Sequence, residues 1–280
     1  MRKPVRRRSP DTPAAAEPPA RPHGEARGKP RPGRESAGAS APAQPPGTFW
    51  LFGRHAVEAA LANPKRTCLR LNGTPEALEG LRNPRPELKP EPVTRMDLDL
   101  RLPPGAIHQG LALLVRPLRS WSVEDVAALE GPAVVVMLDQ VSDPHNVGAI
   151  WRSAAAFGVK AVIVQDRNSP DETGVLARSA CGALERVPAV RASNLSRALD
   201  TLKEGGFWCA GLEARGETLL SEAKLGERIV VVLGAEGSGL RRLVREHCDV
   251  LVRLPMSGDM ESLNVSNAAA ITFYDLFCRR

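Results

Sequence analysis

The sequence predicts an α/β domain built on a mostly parallel sheet, and three observations lead there. Continuous apolar runs such as Ala133–Leu138 and Ile229–Leu233 are rich in valine, as expected of parallel strands covered on both faces. Segments with helical apolar spacing alternate with these runs through the second half of the chain. Where strand hands over to helix, three loops (Leu138–Arg152, Val231–Leu240 and Leu254–Asn267) carry Gly, Ser and Asn, which expose backbone and short polar groups to a ligand.

The elements follow in order. Apolar residues recur at helical spacing from Phe49 to Leu61 until Asn63-Pro64 stops the pattern. A strand at Thr67–Leu71, a polar helix at Pro75–Leu81, a proline-punctuated stretch and a strand within His108–Pro117 complete a small α/β unit, residues 49–117. Residues 118–131 read as a linker with a helical turn at Ser122–Leu129.

The second unit, 132–280, opens with the strand Ala133–Leu138 and a turn at Asp143-Pro144. A helix ended by Gly158 and the strand Ala161–Val164 then close a βαβ unit. Helices near Gly174–Cys181, Leu195–Lys203, Leu240–His247 and Val265–Cys278 alternate with strands near Val187–Val190, Phe207–Leu212, Ile229–Leu233 and Val250–Leu254. The last helix is apolar around much of its circumference, with Val265, Ala269, Phe273 and Leu276 on one side and Ile271, Tyr274 and Cys278 on another. It is therefore expected to be buried on two faces, between subunits.

Charge is concentrated at the N-terminus. Residues 1–48 hold ten Lys/Arg and four acids, a balance of +6 that equals the whole-chain value, so 49–280 is neutral. The same stretch has 11 of the 25 prolines and no Leu, Ile, Phe or Trp, which predicts disorder. It suits either a basic arm making salt-sensitive phosphate contacts or a solvated tail without a partner. It lacks the apolar core of a secretion signal and fits a transit peptide poorly. Five cysteines without a C-x-x-C pair argue against a disulfide framework or a zinc site and for a reducing cytoplasm. No apolar stretch approaches the roughly 20 residues of a membrane helix.

Within the loops, Gly234-Ala-Glu-Gly-Ser-Gly239 has neither the glycine order of a dinucleotide fingerprint nor the Gly-Lys-Ser/Thr of a P-loop. Glu236, between glycines, is either a solvated acid or a group that holds a cation. Asn146 and Arg152 lie about 120° apart on a helix and converge only if Asn146 sits at its start. Otherwise they are a cap and a surface ion-pair partner. Ser262 and Asn264 have the same choice between cap and site. His55 and His145 have no carboxylate at helical spacing, which weakens them as acid–base candidates.

Asp143-Pro-His-Asn146 to Arg152, Leu233-Gly-Ala-Glu-Gly-Ser-Gly239, and Leu254-Pro-Met256 to Ser262-Leu-Asn-Val-Ser266 stand in the order of three family motifs. In these the chain resembles the SpoU (TrmH) family of RNA ribose 2′-O-methyltransferases. Phe52-Gly-Arg-His-Ala-Val57 and His108-Gln-Gly110 resemble the small substrate-binding domain of the branch that methylates a guanosine in large-subunit ribosomal RNA.

The resemblance implies a SPOUT fold with a deep trefoil knot, an exception to the rule that chains do not thread loops. It also implies a small L30e-like domain, S-adenosylmethionine as methyl donor, no metal, and a homodimer. Gly234, Leu254 and Leu263 match cofactor-contacting positions, and Asn146, Arg152, Glu236, Ser262 and Asn264 match catalytic-site positions. Gln140 and Asn267 depart from the pattern, which tends to a small and an apolar residue there. Arg54 and His55 are candidates for RNA contact or for a capping role. A transfer-RNA methyltransferase of the same superfamily, a resistance-type ribosomal RNA methyltransferase, or a non-catalytic ribosomal RNA assembly factor would share much of this pattern.

Overall fold

Two sheets carry the chain, in a computed structural model that describes residues 44–167, 169–258 and 262–279. Of the basic segment expected to be disordered, residues 1–43 lie outside the described residues.

The first sheet takes β1 (Phe49–Phe52), β2 (Cys68–Gly73), β3 (Pro90–Pro92) and β4 (Leu111–Val115) in the order β1-β4-β2-β3. Helices α1 (Arg54–Ala62), α2 (Pro75–Glu79) and α3 (Arg95–Arg101) connect them. Phe49–Phe52, expected to open a helix, is instead a strand paired antiparallel with β4. Its alternation explains why: Trp50 and Phe52 enter one apolar cluster and Leu51 another. Gly53, at φ 86°, then turns the chain into α1. Helix α3 was hidden among prolines. Thr94 and Asp97 cap its start reciprocally, and Pro103-Pro104 follows its end.

Residues 118–131 hold α4 (Val123–Ala127), opened by a reciprocal cap between Ser122 and Asp125. Val126 is buried against α7 (Leu195–Glu204), and the Trp121 N–H donates to the Ala189 carbonyl at 2.9 Å.

The second sheet holds β5 (Ala133–Asp139), β6 (Val162–Gln165), β7 (Ala189–Ala192), β8 (Trp208–Leu212), β9 (Thr218–Leu219), β10 (Arg228–Gly234) and β11 (Val250–Arg253). Their order is β7-β6-β5-β10-β8-β11-β9, and all six pairings are parallel. Only β9 had no counterpart in the sequence reading.

Helices cover both faces, which is why β5 is buried at every position. Val134, Val136 and Leu138 meet α5 (Pro144–Ala156), α6 (Gly174–Ala180) and α9 (Val265–Cys278). Val135 and Met137 share the other cluster with α4, α7 and α8 (Arg242–Glu246). The chain returns from β11, near one edge, to lay α9 against α5 beside the sheet centre. That helix buries Val265, Ala269, Thr272, Phe273 and Leu276 but leaves Ile271, Tyr274 and Phe277 about half exposed. A single chain thus covers one of the two faces expected to be buried.

Candidate active site

The three Gly/Ser/Asn loops meet at the carboxyl ends of β5, β10 and β11. Proline at the first position of α5 starts that helix at Pro144 with Asp143 as its cap, which sets Asn146 in the first turn. Asn146 therefore sits where convergence requires it. Its Nδ2 donates to Glu236 Oε1 at 3.1 Å. Asn264 caps α9, accepting from the Ser266 N–H (2.9 Å) and hydroxyl (2.6 Å) through Oδ1. Its Nδ2 donates to the same Glu236 oxygen at 2.6 Å and to Asn146 Oδ1 at 3.1 Å. The Val265 N–H, at the start of α9, adds a longer contact to Glu236 at 3.4 Å.

Asn264 thus caps α9 and at the same time bonds to Asn146 and Glu236. Glu236, exposed at the tip of its loop, is the common acceptor of two side-chain amides and a helix N-terminus. It is thus not an isolated solvated acid. Arg152 lies further along α5 with its side chain exposed, and Ser262 is exposed beside Asn264. The hydrogen bonds of the cluster join Asn146, Glu236 and Asn264 and include neither Arg152 nor Ser262.

Next to the cluster, a cleft of about 800 Å³ opens beyond the ends of β8, β10 and β11, the position where open α/β sheets bind ligands. Gly234, Leu254, Leu263, Ser262, Glu236 and Asn264 all line it, whereas Asn146 and Arg152 do not. Its glycine-rich wall is tightly folded. The Gly239 N–H donates to the Ala235 carbonyl at 2.9 Å, and Gly237 and Gly239 have φ of 81° and 65°. Buried Asp139 holds the far end of the loop, accepting from Arg241 N (2.8 Å) and Nε (2.7 Å).

The sequence reading missed Glu213, Arg215 and Arg245, which also line the cleft, with Arg245 Nη2 3.2 Å from Glu213 Oε2. They lie outside the three loops, and the only signal was their place just after β8 and within α8. Apolar Leu212, Leu233, Met256 and Val265 complete the walls. The chemistry suits a ligand with both an apolar and a charged part.

The remaining candidates fall elsewhere. Arg54 turns inward, donating to Glu58 and to the Gly80 carbonyl at 3.0 Å each, so it caps α2. His55 is exposed on α1. His145 meets no carboxylate; its Nδ1 lies 3.3 Å from Ser179 Oγ. Gln140 adopts φ 59°, a left-handed conformation that favours Gly or Asn, so the family's small residue suits this backbone and Gln140 holds it under strain. Burial pushes the Cys209 and Cys248 thiols up to about 12, which keeps them protonated and unsuited to nucleophilic work. Among the described residues, no group of three His, Cys, Asp or Glu is placed to hold a metal ion.

Comparison with known proteins agrees with this fold. Residues 133–274 match the model of the SpoU rRNA Methylase family. The chain is 45% identical over 192 residues to an uncharacterized tRNA/rRNA methyltransferase of Mycobacterium sp. (strain KMS), covering 67% of this chain and 61% of that protein. It thus spans less than two thirds of the mycobacterial relative's length. It is 37% identical over 246 residues to the 23S rRNA (guanosine-2'-O-)-methyltransferase RlmB of Xanthomonas campestris pv. campestris, covering 82% of this chain and 96% of that protein. The fold matches that of the SpoU methyltransferase AviRb from Streptomyces viridochromogenes in complex with the cofactor AdoMet. That match has a TM-score of 0.71 and 22% identity, and it covers 84% of this chain and 91% of the other.

Proposed function

The chain belongs to the SpoU rRNA methylase family, and from that premise we propose that it methylates the ribose 2′-hydroxyl of a guanosine in large-subunit ribosomal RNA. The observation that carries this reading is the Asn146–Glu236–Asn264 cluster at the mouth of the cleft. It presents a preorganised polar surface to a ribose beside a pocket suited to S-adenosylmethionine.

When bound, S-adenosylmethionine supplies a methyl group on a positively charged sulfur. Gly234, Leu254 and Leu263 would hold it through backbone groups and apolar packing, and the Glu213/Arg245 pair would face its charged end. Ser262 and Asn264 orient the ribose so that its oxygen lies in line with the methyl group. Arg152 acts as an electrostatic group that binds the flanking phosphate and stabilises the charge developing on the 2′-oxygen as the hydroxyl proton passes to solvent water. The planar, two-pronged guanidinium matters for that role. Arg152→Lys is therefore expected to lower the single-turnover rate by about 10²-fold, and a nearly full rate would contradict it.

We read the return of the chain from β11 to α9 as the deep trefoil knot, with the cofactor held within it, and the exposed face of α9 as a homodimer contact. Ile271, Tyr274 and Phe277 form that face with Phe157, whose ring lies 5.8 Å from Tyr274 and 6.1 Å from Phe277. Sedimentation should give twice the chain mass, and Tyr274→Glu/Phe277→Glu should give single chains; a wild-type monomer would contradict the contact. No described helix is long and apolar enough to cross a membrane, and the ribosomal substrate puts the work in the cytoplasm.

The test is transfer of labelled methyl from S-adenosylmethionine to unmodified large-subunit ribosomal RNA and, separately, to transfer RNA. Label in the ribosomal RNA alone supports the assignment. Label in transfer RNA alone identifies a transfer-RNA enzyme, and no label in either, with no cofactor binding, identifies a non-catalytic assembly factor.

A further inference from the structure

A fully buried guanidinium lies outside the residues that line the cleft. Arg66, between α1 and β2, has a side chain of zero exposure, packed between the small unit and the large sheet. Its Nη2 donates to Glu172 Oε1 and to Glu185 Oε1, each at 2.6 Å. Its Nε reaches both oxygens of Glu185 at 3.0 and 3.2 Å, and its Nη1 donates to the Arg116 carbonyl at 2.9 Å. The carboxylates are anchored in turn. Asn63 Nδ2 donates to Glu185 Oε2 at 2.7 Å, and the Leu118 N–H donates to Glu172 Oε2 at 3.3 Å. One guanidinium thus joins the small unit, the 116–118 segment and both flanks of α6.

Helix α6 and the turn after it make further links between these parts. At its start, a Cβ on Gly174 would lie 2.3 Å from the Trp50 carbonyl oxygen and 2.4 Å from the Phe52 ring. Beyond its end, a Cβ on Gly182 would lie 2.6 Å from Ala59 Cβ. Arg178 Nε donates to the Ile107 carbonyl at 3.1 Å, and Ser179 contacts His145, the neighbour of Asn146. The helix that packs against α5, the helix bearing Asn146, therefore carries the small unit at its other side.

Apolar packing alone would hold the two parts together, since one buried cluster already includes Leu51, Val57 and Leu61 with Leu176, Ala177 and Leu184. A buried ion triad adds little net stability over an apolar replacement, but it satisfies its partners in only one arrangement. We propose that Arg66 is a positioning residue: with Glu172 and Glu185 it locks the small unit in one orientation on α6, so that RNA is selected by a single rigid surface. The RNA part of this inference rests on the function proposed above; the lock itself does not.

Two variants test it. Arg66→Met leaves two carboxylates facing each other, and Arg66→Met/Glu172→Gln/Glu185→Leu removes the charges while keeping the volume. In both, S-adenosylmethionine affinity by calorimetry should stay within about twofold, since the cleft is untouched, while kcat/KM for ribosomal RNA falls by about 10²-fold through misplacement of the RNA. Amide hydrogen exchange at Phe49–Phe52 and at 116–121 should accelerate. A triple variant that folds stably with wild-type RNA kinetics and unchanged exchange would overturn the proposal and leave Arg66 a purely structural role. If the wild-type protein methylates no RNA, the functional reading fails instead, and the exchange rates alone decide the lock.

Discussion

Alanine at Gly234 is expected to abolish binding of S-adenosylmethionine and, with it, methyl transfer. The new Cβ would lie 2.3 Å from the Gly239 carbonyl carbon, 2.4 Å from its oxygen and 2.6 Å from the Leu240 nitrogen. All three are backbone atoms, so no side chain can swing away; the neck of the loop must open. Opening it breaks the Ala235–Gly239 contact and shifts Glu236 away from Asn146 and Asn264. Calorimetric affinity should fall at least about 10²-fold, with a loss of roughly 3 kcal/mol in unfolding free energy from the overpacked backbone. Gly237→Ala is the control: it has open space at Cβ and bears only the strain of φ 81°, so its effect should be much smaller. Native affinity in Gly234→Ala would show that the glycine-rich wall does not hold the cofactor.

The second large effect is expected at Glu236. One carboxylate oxygen accepts from Asn146, Asn264 and the Val265 N–H, so Glu236→Ala leaves three donors without their common acceptor. The two amides then lose the constraint that aims them, and the rate of methyl transfer at saturating substrates should fall by about 10²–10³-fold, the range seen when a preorganised polar group is removed. Single-turnover transfer measures this directly. A rate within about tenfold of wild type would mean that the cluster is a structural brace rather than part of the reacting site.

Much of this geometry was legible because local signals agree. Proline at 144 fixed the start of α5, so the placement of Asn146 depended on one residue. The apolar runs of β5 and β10 announced strands buried on both faces, and α9 has the bounds its apolar spacing predicted. Elsewhere local signals conflict or are silent. Phe49–Phe52 fits a helical pattern by spacing, yet its four large apolar residues gain more by pairing with β4, a partner about sixty residues away. The insertion of β10 between β5 and β8 brings Glu236 to Asn146, ninety positions apart in sequence, and no periodicity records that. Arg66 is the extreme case. Its carboxylate partners are 106 and 119 residues away, and in sequence it looks like any other solvated arginine.

The central claim is that this cleft and cluster methylate a guanosine ribose in large-subunit ribosomal RNA. It is tested most directly by incubating that RNA, unmodified, with S-adenosylmethionine and either the wild-type protein or Arg152→Ala, then mapping ribose methylation by primer extension at low nucleotide concentration. A single new stop at one guanosine with wild type, absent with Arg152→Ala, is the predicted result. An equally strong stop with Arg152→Ala, or no ribose stop although methyl is incorporated, would contradict it.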